Sequence, residues 1–470
     1  MQDERDRRIA ELTEEVAVLR SIVAELRTQV EELKAKLTQN SSNSSKPPSA
    51  DAPADREARP GRPLTGRPRG AQRGHKGWKR TLLPPDKVNR TRDIYPERCR
   101  RRGCGKRLPH QPDASPIRHQ VVEVPPITPD VTEYRLHRVA CDCGKVTCGI
   151  LPAGVPRGMC GPRLTALIGL LSGNYKLSRR DAASFLSDVL GVKISLGALS
   201  ESEDDVSEAI AVPVEEARVH VSEQGVKNAD ATGWRQAGQG RTLWTIVTPL
   251  VVFFGIAADG SRAGLRGLFA TVRGILITDR GTQFGFWAMK ARQICWAHLI
   301  RRWVGFAERT GPAGQLGTDL LFWSQTIFHA WHMVRDGTLS RRKFRAIMDK
   351  VRPVVEALLE QGMALGVRGV SGCCKDILAH RLALWTFVDY DGVEPTNNTA
   401  ERALRAFVCW RKMCFGSQSE RGNRFAARIM TVTQTLRRQR RHVLAYLTEA
   451  VHAKLLGRQA PSLLPAMATP

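Results

Sequence analysis

The sequence predicts a multidomain α+β protein, and three observations support this fold class. The first forty residues repeat apolar side chains at alternating steps of three and four, which is the spacing of a coiled coil. Five cysteines then follow between Cys99 and Cys148. From Gly225 onward the helical periodicity changes to strand periodicity, and helices return before the chain ends. A chain of 470 residues with 42% hydrophobic content is long enough for roughly two to four domains with buried cores.

Positive charge is concentrated in two stretches. The net charge is +26, from 72 Lys and Arg against 46 Asp and Glu. Residues 56–107 hold 18 basic and 4 acidic side chains, and residues 402–441 hold 11 basic and 1 acidic. Because such an excess repels itself unless a polyanion balances it, the sequence predicts a nucleic-acid partner.

The sequence favours a cytoplasmic protein without a membrane anchor. Its most apolar run, residues 243–258, is interrupted by Pro249 and is rich in β-branched side chains, so it predicts two buried strands. The charged N-terminus MQDERDRR leads into no apolar stretch, so we expect no signal peptide. Eleven cysteines, an odd number, favour a reducing compartment in which thiols stay free or bind metal.

Residues 1–39 are predicted to form a coiled coil, or leucine zipper. β-Branched residues at position a with leucine at position d favour a parallel two-stranded coil, so we expect a homo-oligomer. The alternative is a single amphipathic helix that packs on its own domain. The a positions are Ile9, Val16, Val23, Val30 and Leu37, and the d positions are Leu12, Leu19, Leu26 and Leu33.

Residues 40–90 are predicted to be a disordered basic linker. Its first part, Asn40 to Asp55, is rich in Ser, Pro and Asn and is expected to be flexible and to bury no surface. Its second part is rich in Arg, Gly and Pro, which is typical of an arm that follows phosphates without reading sequence. A plain linker remains the alternative.

Residues 91–158 are predicted to be a small zinc-finger-like DNA-binding domain. Two pairs of thiols separated by short β-like segments suit a tetrahedral Zn²⁺ that stabilises a domain too small for its own core. The spacings are CX4C and then CXC or CX4C, so ordinary reduced thiols remain an alternative. The candidate ligands are Cys99, Cys104, Cys141 and Cys143, with Cys148 as an alternative fourth ligand.

Residues 159–222 are predicted to be helical and to contain a helix-turn-helix. A first helix from Leu177 buries an apolar face, Gly191 forms the turn, and Ser195 caps a second helix. Any helical hairpin with a glycine turn has the same outline, so the motif alone does not establish DNA binding. Arg179 and Arg180 on the first helix are candidate DNA contacts.

Residues 223–450 are predicted to be the catalytic domain. Asp230 is placed at the end of a short strand, two apolar strands follow, and a fourth strand ends on Asp279. A meander followed by a strand and a helix is typical of a ribonuclease-H-like sheet, which would bring the two carboxylates side by side. Such a pair repels itself unless a cation lies between, and Mg²⁺ is the hard ion it would bind. A turn or a helix cap is the alternative role for each aspartate.

Glu401 is the candidate third acid. Asn398 lies three residues before it, which is the spacing of a capping box, and Arg405 lies at i+4 as an ion-pair partner. Spacing alone therefore leaves a structural role open beside a catalytic one.

At this point the sequence resembles a known family. The segments DATGW, TDRGTQF, CWAHLIRRW and NNTAERALR, in this order, are similar to those of the insertion-sequence sixty-six family of bacterial DDE transposases. The resemblance spans nearly the whole chain, including the zipper, the SSNSSKPPS segment and the cysteine-rich region. It implies a ribonuclease-H-like α/β catalytic domain whose triad is Asp230, Asp279 and Glu401. It also implies a helical insertion at about residues 304–390, which contains several tryptophans, and a tail at 451–470.

The sequence departs from the family pattern at three places. The cysteine motif is not a pair of CXXC knuckles, Ala231 replaces a common Glu, and Arg280 replaces a common Gly. None of these changes removes a carboxylate from the triad, so we expect activity to be retained.

The resemblance implies cleavage of double-stranded DNA at transposon ends and strand transfer to target DNA. Two Mg²⁺ ions about 4 Å apart, or Mn²⁺ in their place, would be held by the triad. Arg402, Arg405, Arg411 and Lys412 are candidate phosphate contacts, although a solvated helix face is the alternative for each. His298 is expected to belong to the helix core rather than to touch DNA. Small accessory proteins of the same element are further candidate partners.

Two other functions remain open at this point. One is a catalytically silent DNA-binding regulator derived from a transposase, and the other is a ribonuclease-H-like nuclease that acts without strand transfer. All three acids are present, which favours the enzyme.

Overall fold

The structure, a computed structural model, describes residues 2–44, Asp51 and residues 80–465. It divides into two units, one of residues 58–128 and the other of residues 1–57 together with 129–470. This boundary falls inside residues 91–158, which the sequence predicts as one cysteine-rich domain. The candidate zinc ligands are therefore shared between the units: Cys99 and Cys104 belong to the first, and Cys141, Cys143 and Cys148 to the second.

The α+β class is confirmed by fourteen α-helices and seven strands in the described part of the chain. The helices are α1 (Gln2–Leu37), α2 (Pro162–Gly169), α3 (Arg179–Leu190), α4 (Leu196–Ala209), α5 (Ala211–Glu223), α6 (Arg262–Leu268), α7 (Trp296–Ala307), α8 (Gly311–Arg335), α9 (Arg341–Ala364), α10 (Ser371–Ala379), α11 (Thr386–Asp389), α12 (Asn398–Cys414), α13 (Glu420–Arg438) and α14 (Val443–Leu455). The strands are β1 (Arg138–Ala140), β2 (Val146–Cys148), β3 (Val226–Gln236), β4 (Gln239–Val247), β5 (Val252–Ala257), β6 (Ile275–Thr278) and β7 (Arg292–Ile294).

Helix α1 is continuous through the whole predicted heptad region. Its described heptad side chains are all exposed in the single chain: Val16, Leu19, Val23, Leu26, Val30, Leu33 and Leu37. The side chains of Ile9 and Leu12 lie outside the described residues. An apolar stripe of this kind is stabilised when a second helix covers it, so the pairing of α1 stays a prediction.

The segment after α1 differs from the flexible linker that its composition predicts. Ser41, Asn43, Ser44 and Asp51 are buried, with exposed fractions between 3 and 8%. Both carboxylate oxygens of Asp51 accept hydrogen bonds from Ser41, one from its amide and one from its hydroxyl. Asn43 donates its side-chain amide to Glu308 at 2.6 Å. Hydrogen bonds between polar side chains thus order this part of the segment. Composition indicates only that the segment has no apolar core, and it does not reveal these hydrogen bonds. The rest of the linker, residues 45–50 and 52–79, lies outside the described residues.

In the unit of residues 58–128, the described part is an extended chain held by polar contacts. Gln120 accepts from the amide of Leu83 and donates to the carbonyl of the same residue. Arg98 and Arg107 form an antiparallel bridge around the turn that carries Cys104.

Helices α3 and α4 begin and end close to the positions that the sequence predicts for the two helices of the helix-turn-helix. Ser178 and Ser195 cap α3 and α4 through their side chains, and Gly191 ends α3 with a left-handed φ of 66°. The two helices are not an independent domain, however, because Val206 of α4 belongs to the same hydrophobic core as Trp244 of the sheet. Helix α14, at the C-terminus, packs on α2 and contributes Tyr446 to this core. The predicted tail is also partly folded, since Leu463 is fully buried.

The main sheet has the strand order β5-β4-β3-β6-β7. Strands β5, β4 and β3 form an antiparallel meander, and β6 and β7 then pair in parallel with β3 and with each other. The apolar run at residues 243–258 is confirmed as the two strands β4 and β5.

Helices cover both faces of the sheet. Leu276 of β6 points into the core that includes α5, α12 and α13, whereas the adjacent Ile277 points into a second core built by α7 to α11. This second core holds the tryptophans of the predicted helical insertion: Trp296, Trp303, Trp331 and Trp385 are buried, and Trp323 packs against them.

The outer edge of β5 is closed by a helix. Thr431 and Thr435, one turn apart on α13, accept hydrogen bonds from the amides of Phe254 and Val252 at 3.0 Å. An open sheet edge invites pairing with another chain, and these hydroxyls satisfy the edge instead. Separately, none of the described helices combines the length and hydropathy needed to cross a membrane.

The exposed stripe of α1 gives a first prediction. Replacing Leu19 and Leu26 by Lys should lower the oligomer mass measured by light scattering, because charges at two d positions destabilise a coiled-coil seam. Replacing Ala17 and Ser21 by Lys, which are exposed but off the stripe, should leave the mass unchanged. If both double variants keep the parent mass, α1 does not pair through this stripe.

Candidate active site

One candidate aspartate lies on β3, and the other is the first residue after the parallel neighbour β6, which ends at Thr278. Asn228 of β3 pairs with Ile277 of β6, and Asp230 and Asp279 each lie two residues further along the chain. Because neighbouring parallel strands run in the same direction about 4.8 Å apart, the register brings the two aspartates near each other at the end of β6.

Asp230 is not at the end of its strand, as the sequence suggested. It lies inside β3, because β4 pairs with β3 from Asn228 to Gln236. The parallel partner β6, however, pairs only with residues 226–228. Asp230 is therefore at the point where the parallel ladder ends, and the space beside it is open to the loop that begins at Asp279.

Asn397 connects the third acid to this sheet. Its side chain is fully buried, donates to the carbonyl of Ala229 at 2.8 Å and accepts from the side chain of Asn228 at 2.9 Å. Its backbone amide donates to the sulfur of Cys295 at 3.1 Å. Asn397 is also the residue from which α12 begins, so these contacts fix the start of that helix against β3 and α7.

Glu401 lies one turn into α12, and its carboxylate faces α7. The distance from its Oε1 to Nδ1 of His298 is 3.7 Å, and that from its Oε2 to Nη2 of Arg301 is 3.8 Å. The capping-box alternative is wrong, because the N-cap residue is Asn397 and its side chain makes no capping hydrogen bond. The nearest cation to Glu401 is Arg301 of α7 and not Arg405, the i+4 partner suggested by spacing.

The charges that act on Asp230 indicate that the three acids lie near one another. Desolvation, the largest cause, and the charges of Asp279 and Glu401 together raise the pKa of Asp230 to about 7. A hydrogen bond from the amide of Ala231 and the charge of Arg301 act in the opposite direction. A partly buried carboxylate with two like charges beside it is stabilised by a cation.

Asp279 is oriented by the loop that follows β6. Its Oδ1 accepts from the amide of Gly281 at 2.8 Å. The guanidinium of Arg292 donates to the backbone carbonyl of Asp279 at 3.2 Å, and this arginine is only 1% exposed. Arg280, which departs from the family pattern, turns away to form an ion pair with Asp376.

The candidate DNA contacts fall into two groups. Arg180, Arg402, Arg405 and Lys412 are exposed and available to phosphates. Arg179 and Arg411 have partners within the chain, since Arg179 forms an ion pair with Glu203 and Arg411 donates to Thr232 at 3.2 Å. These two contacts tie helices together and do not exclude a further contact with DNA.

The candidate zinc cysteines lie on two tight turns. The amide of Cys99 donates to the carbonyl of Lys106 across one turn, and that of Cys141 to Lys145 across the turn between β1 and β2. Hydrogen bonds from Cys143 lower the pKa of the Cys141 thiol, which favours the thiolate that zinc requires. The zinc assignment itself stays a prediction.

Several site residues were not found from the sequence. His298 was expected to belong to the helix core, but its side chain is 21% exposed and faces Glu401. Asn397, Cys295 and Arg301 received no role. The spacing Cys-X-X-His at the start of α7 was the available signal for two of them, because residues at i and i+3 share one helix face.

The fold and the three carboxylates define a class of protein: an α+β domain that gathers acidic side chains where a meander meets parallel strands. Within this class, the chain belongs to the transposase IS66 family, whose family model matches residues 157–425, more than half of the chain. The resemblance found in the sequence is thereby confirmed. A family of unknown function, DUF6444, matches residues 2–81. A search of curated proteins gave no match. Transposases act on DNA, so membership implies DNA binding and, in general, a nuclease or transposase activity.

The buried contacts of Asn397 give a second prediction. Asn397→Ala should lower the free energy of unfolding by about 1–3 kcal/mol, because the carbonyl of Ala229 loses its buried donor. Asn398→Ala, at the exposed neighbouring position, should change it by less than about 0.5 kcal/mol. Urea unfolding of the two variants makes the comparison. Equal stabilities would show that Asn397 does not anchor α12.

The raised pKa of Asp230 gives a third prediction. Between its unfolded pKa of 3.8 and its folded pKa of about 7, the folded protein keeps a proton that the unfolded chain has released, so stability falls as pH rises through this window. Asp230→Asn removes the effect. In magnesium-free buffer, the stability of this variant relative to the parent should increase by about 1–3 kcal/mol from pH 5 to pH 8.

Thermal unfolding at the two pH values measures this difference. Asp336→Asn, at an exposed position on the end of α8, should show no such increase and serves as the control. A difference between Asp230→Asn and the parent that stays constant or shrinks with rising pH would contradict the electrostatic account of the site.

Proposed function

We propose that this protein is a DDE transposase that binds the ends of its insertion sequence and catalyses Mg²⁺-dependent DNA cleavage and strand transfer. Asp230, Asp279 and Glu401 form the proposed catalytic triad. One observation supports this most directly: the charges of Asp279 and Glu401 both raise the pKa of Asp230, which indicates that the three carboxylates are close together. The chain that carries them belongs to a transposase family.

The sheet topology supports a ribonuclease-H-like catalytic domain. An antiparallel meander β3-β4-β5, followed by β6 and β7 in parallel beside β3, is the arrangement that the sequence predicted for such a sheet. Asp230 of β3 lies next to the C-terminal end of β6, and Asp279 is the first residue after that strand. The third acid comes from a helix after the helical insertion, so the insertion lies between the second and third members of the triad.

The donor atoms of the triad suit Mg²⁺, which prefers carboxylate oxygens. When bound, Mg²⁺ supplies activation of a water or hydroxyl nucleophile and stabilises charge on the leaving oxygen. Asp230 and Asp279 would hold the ion from adjacent strands, and Glu401 would complete the ligand set from α12. Mn²⁺, with similar ligand preferences, is the expected substitute.

The residues of the chain also position the reacting DNA. The hydrogen bonds of Asn397 hold α12 against β3, so the position of Glu401 relative to the aspartates is fixed before DNA binds. Arg402, Arg405 and Lys412 are exposed on the same helix as Glu401, where they would contact phosphates near the scissile bond. Such contacts are sequence-independent, so they position the DNA without selecting its sequence.

The N-terminal regions would recognise the transposon ends. In this proposal the turns of Cys99 and Cys104 and of Cys141 and Cys143 bind a structural Zn²⁺, with Cys148 as the alternative fourth ligand. Helices α3 and α4 act as the helix-turn-helix, and α1 pairs with a second copy so that two ends can be held together. Accessory proteins of the same element remain candidate partners.

The test is cleavage and joining of labelled DNA that carries the ends of the element. Asp279→Asn and Glu401→Gln should each reduce Mg²⁺-dependent cleavage by about 100-fold or more, because removing a metal ligand costs several kcal/mol of transition-state stabilisation. Binding to the same DNA should be retained. Asp336→Asn and Glu360→Gln, at exposed positions on α8 and α9, should cleave at the parent rate.

Two outcomes separate the alternatives. A parent protein that binds end DNA without cutting it would be the silent regulator, and the triad would then have no catalytic role. Cleaved ends that never join to target DNA would instead indicate a nuclease.

A further inference from the structure

A second group of side chains that could bind a metal includes the third acid, Glu401. The donor atoms of Cys295, His298 and Glu401 all lie within 4.8 Å of one another. Cys295 is the residue before α7, His298 lies in the first turn of that helix, and Glu401 reaches them from α12. The three ligands are thus held by two helices that Asn397 locks together.

Two of the donor atoms lack a hydrogen-bond partner among the described residues. Nδ1 of His298 and Oε1 of Glu401 are both buried without a hydrogen bond, and they face each other at 3.7 Å. An unsatisfied buried polar atom is costly, so a site with two of them is incomplete. A tetrahedral ion about 2.0–2.2 Å from each atom would separate them by roughly 3.3–3.5 Å, close to the distance present.

The sulfur of Cys295 is prepared for negative charge by its backbone surroundings. It accepts from the amide of Asn397 at 3.1 Å, and the amides of His298 and Ala297 also favour its thiolate. Cys295 is fully buried, so these backbone donors are the polar surroundings of its sulfur inside the protein. Backbone donors of this kind orient a ligating sulfur.

We propose that Cys295, His298 and Glu401 bind a borderline-soft divalent cation of the zinc class, at a position separate from the Mg²⁺ held by the aspartates. Sulfur, imidazole nitrogen and carboxylate oxygen are a zinc donor set, whereas Mg²⁺ avoids sulfur. Three protein ligands leave a fourth position, which water can fill. The side chains of His298 and Glu401 are 21 and 30% exposed, so the group lies near the protein surface although its donor atoms are buried.

Glu401 links this cation to catalysis. Arg301 lies next to Oε2 of Glu401, so Oε1 is the oxygen open to an ion on the side of His298. A zinc-class cation on Oε1 would occupy the carboxylate that the proposed Mg²⁺ site also requires. The zinc-class cation would therefore inhibit Mg²⁺-dependent cleavage, and this consequence alone rests on the proposed function.

The experiment counts zinc per chain by mass spectrometry after dialysis of the full protein against buffered Zn²⁺ under reducing conditions. Cys295→Ser and His298→Gln should each hold about one zinc fewer than the parent protein. Cys409→Ser and His329→Ala remove a thiol and an imidazole at exposed positions outside the group, and they should match the parent count. These controls correct for zinc on the N-terminal cysteines, which all the variants share.

Folding is checked by circular dichroism, since Cys295 is fully buried. If Cys295→Ser does not fold, His298→Gln and Glu401→Gln carry the test, because both side chains are partly exposed. Added Zn²⁺ should raise the melting temperature of the parent by more than that of either variant. Equal zinc counts and equal melting shifts in folded variants would overturn the proposal.

The outcome is independent of the proposed function. A zinc ion that is lost with His298→Gln in a protein that never cleaves DNA would support this site and remove the transposase activity. Cleavage that depends on Mg²⁺, with zinc counts unchanged in the variants, would support the activity and remove this site.

Discussion

The site depends on one buried amide side chain, that of Asn397. Apolar contacts are non-directional, so by themselves they do not fix the position of a helix on a strand. Hydrogen bonds to Ala229 and Asn228 remove this freedom, because each bond has a preferred length and direction. The bond from the amide of Asn397 to the sulfur of Cys295 adds α7 to the same joint. The position of Glu401 relative to the sheet follows from these contacts.

The contacts of Asn397 also help to explain how three acidic side chains can lie near one another in a partly buried position. Desolvation first, and then the charges of Asp279 and Glu401, raise the pKa of Asp230 to about 7. A fold without rigid connections would relax by moving the acids apart. Here β3 and β6 run in register up to the loop that begins with Asp279, and Arg292 donates to the backbone of that loop. A divalent cation beside Asp230 would stabilise its carboxylate against both desolvation and the neighbouring charges.

The helices between Asp279 and Glu401 pack on the sheet that carries the site. Their core begins on the sheet, at Ile277 and Ile294, and continues through the tryptophans of α7 to α11. Helix α7 supplies both the first part of this core and the side chains that face Glu401. The helices of this second core thus pack on the sheet next to the acidic residues. Asp279 and Glu401 are far apart in the chain, and two sets of contacts bring them near each other: the apolar packing of these helices and the hydrogen bonds of Asn397.

The sequence by itself determined the class, the family, the heptad helix, the capped helices α3 and α4, strands β4 and β5, and the three candidate acids. These features are local, since periodicity, capping residues and contiguous motifs depend on neighbours within a few positions. Only the tertiary structure decided that Asp230 lies inside a long strand, that the segment around Ser41 and Asp51 is buried, and that His298 faces Glu401 rather than a core. The burial near Ser41 and the position of His298 depend on partners far away in the chain, Glu308 and α12, whereas the length of β3 depends on its pairing with β4. No pattern of neighbouring residues specifies which distant partner a polar side chain will meet.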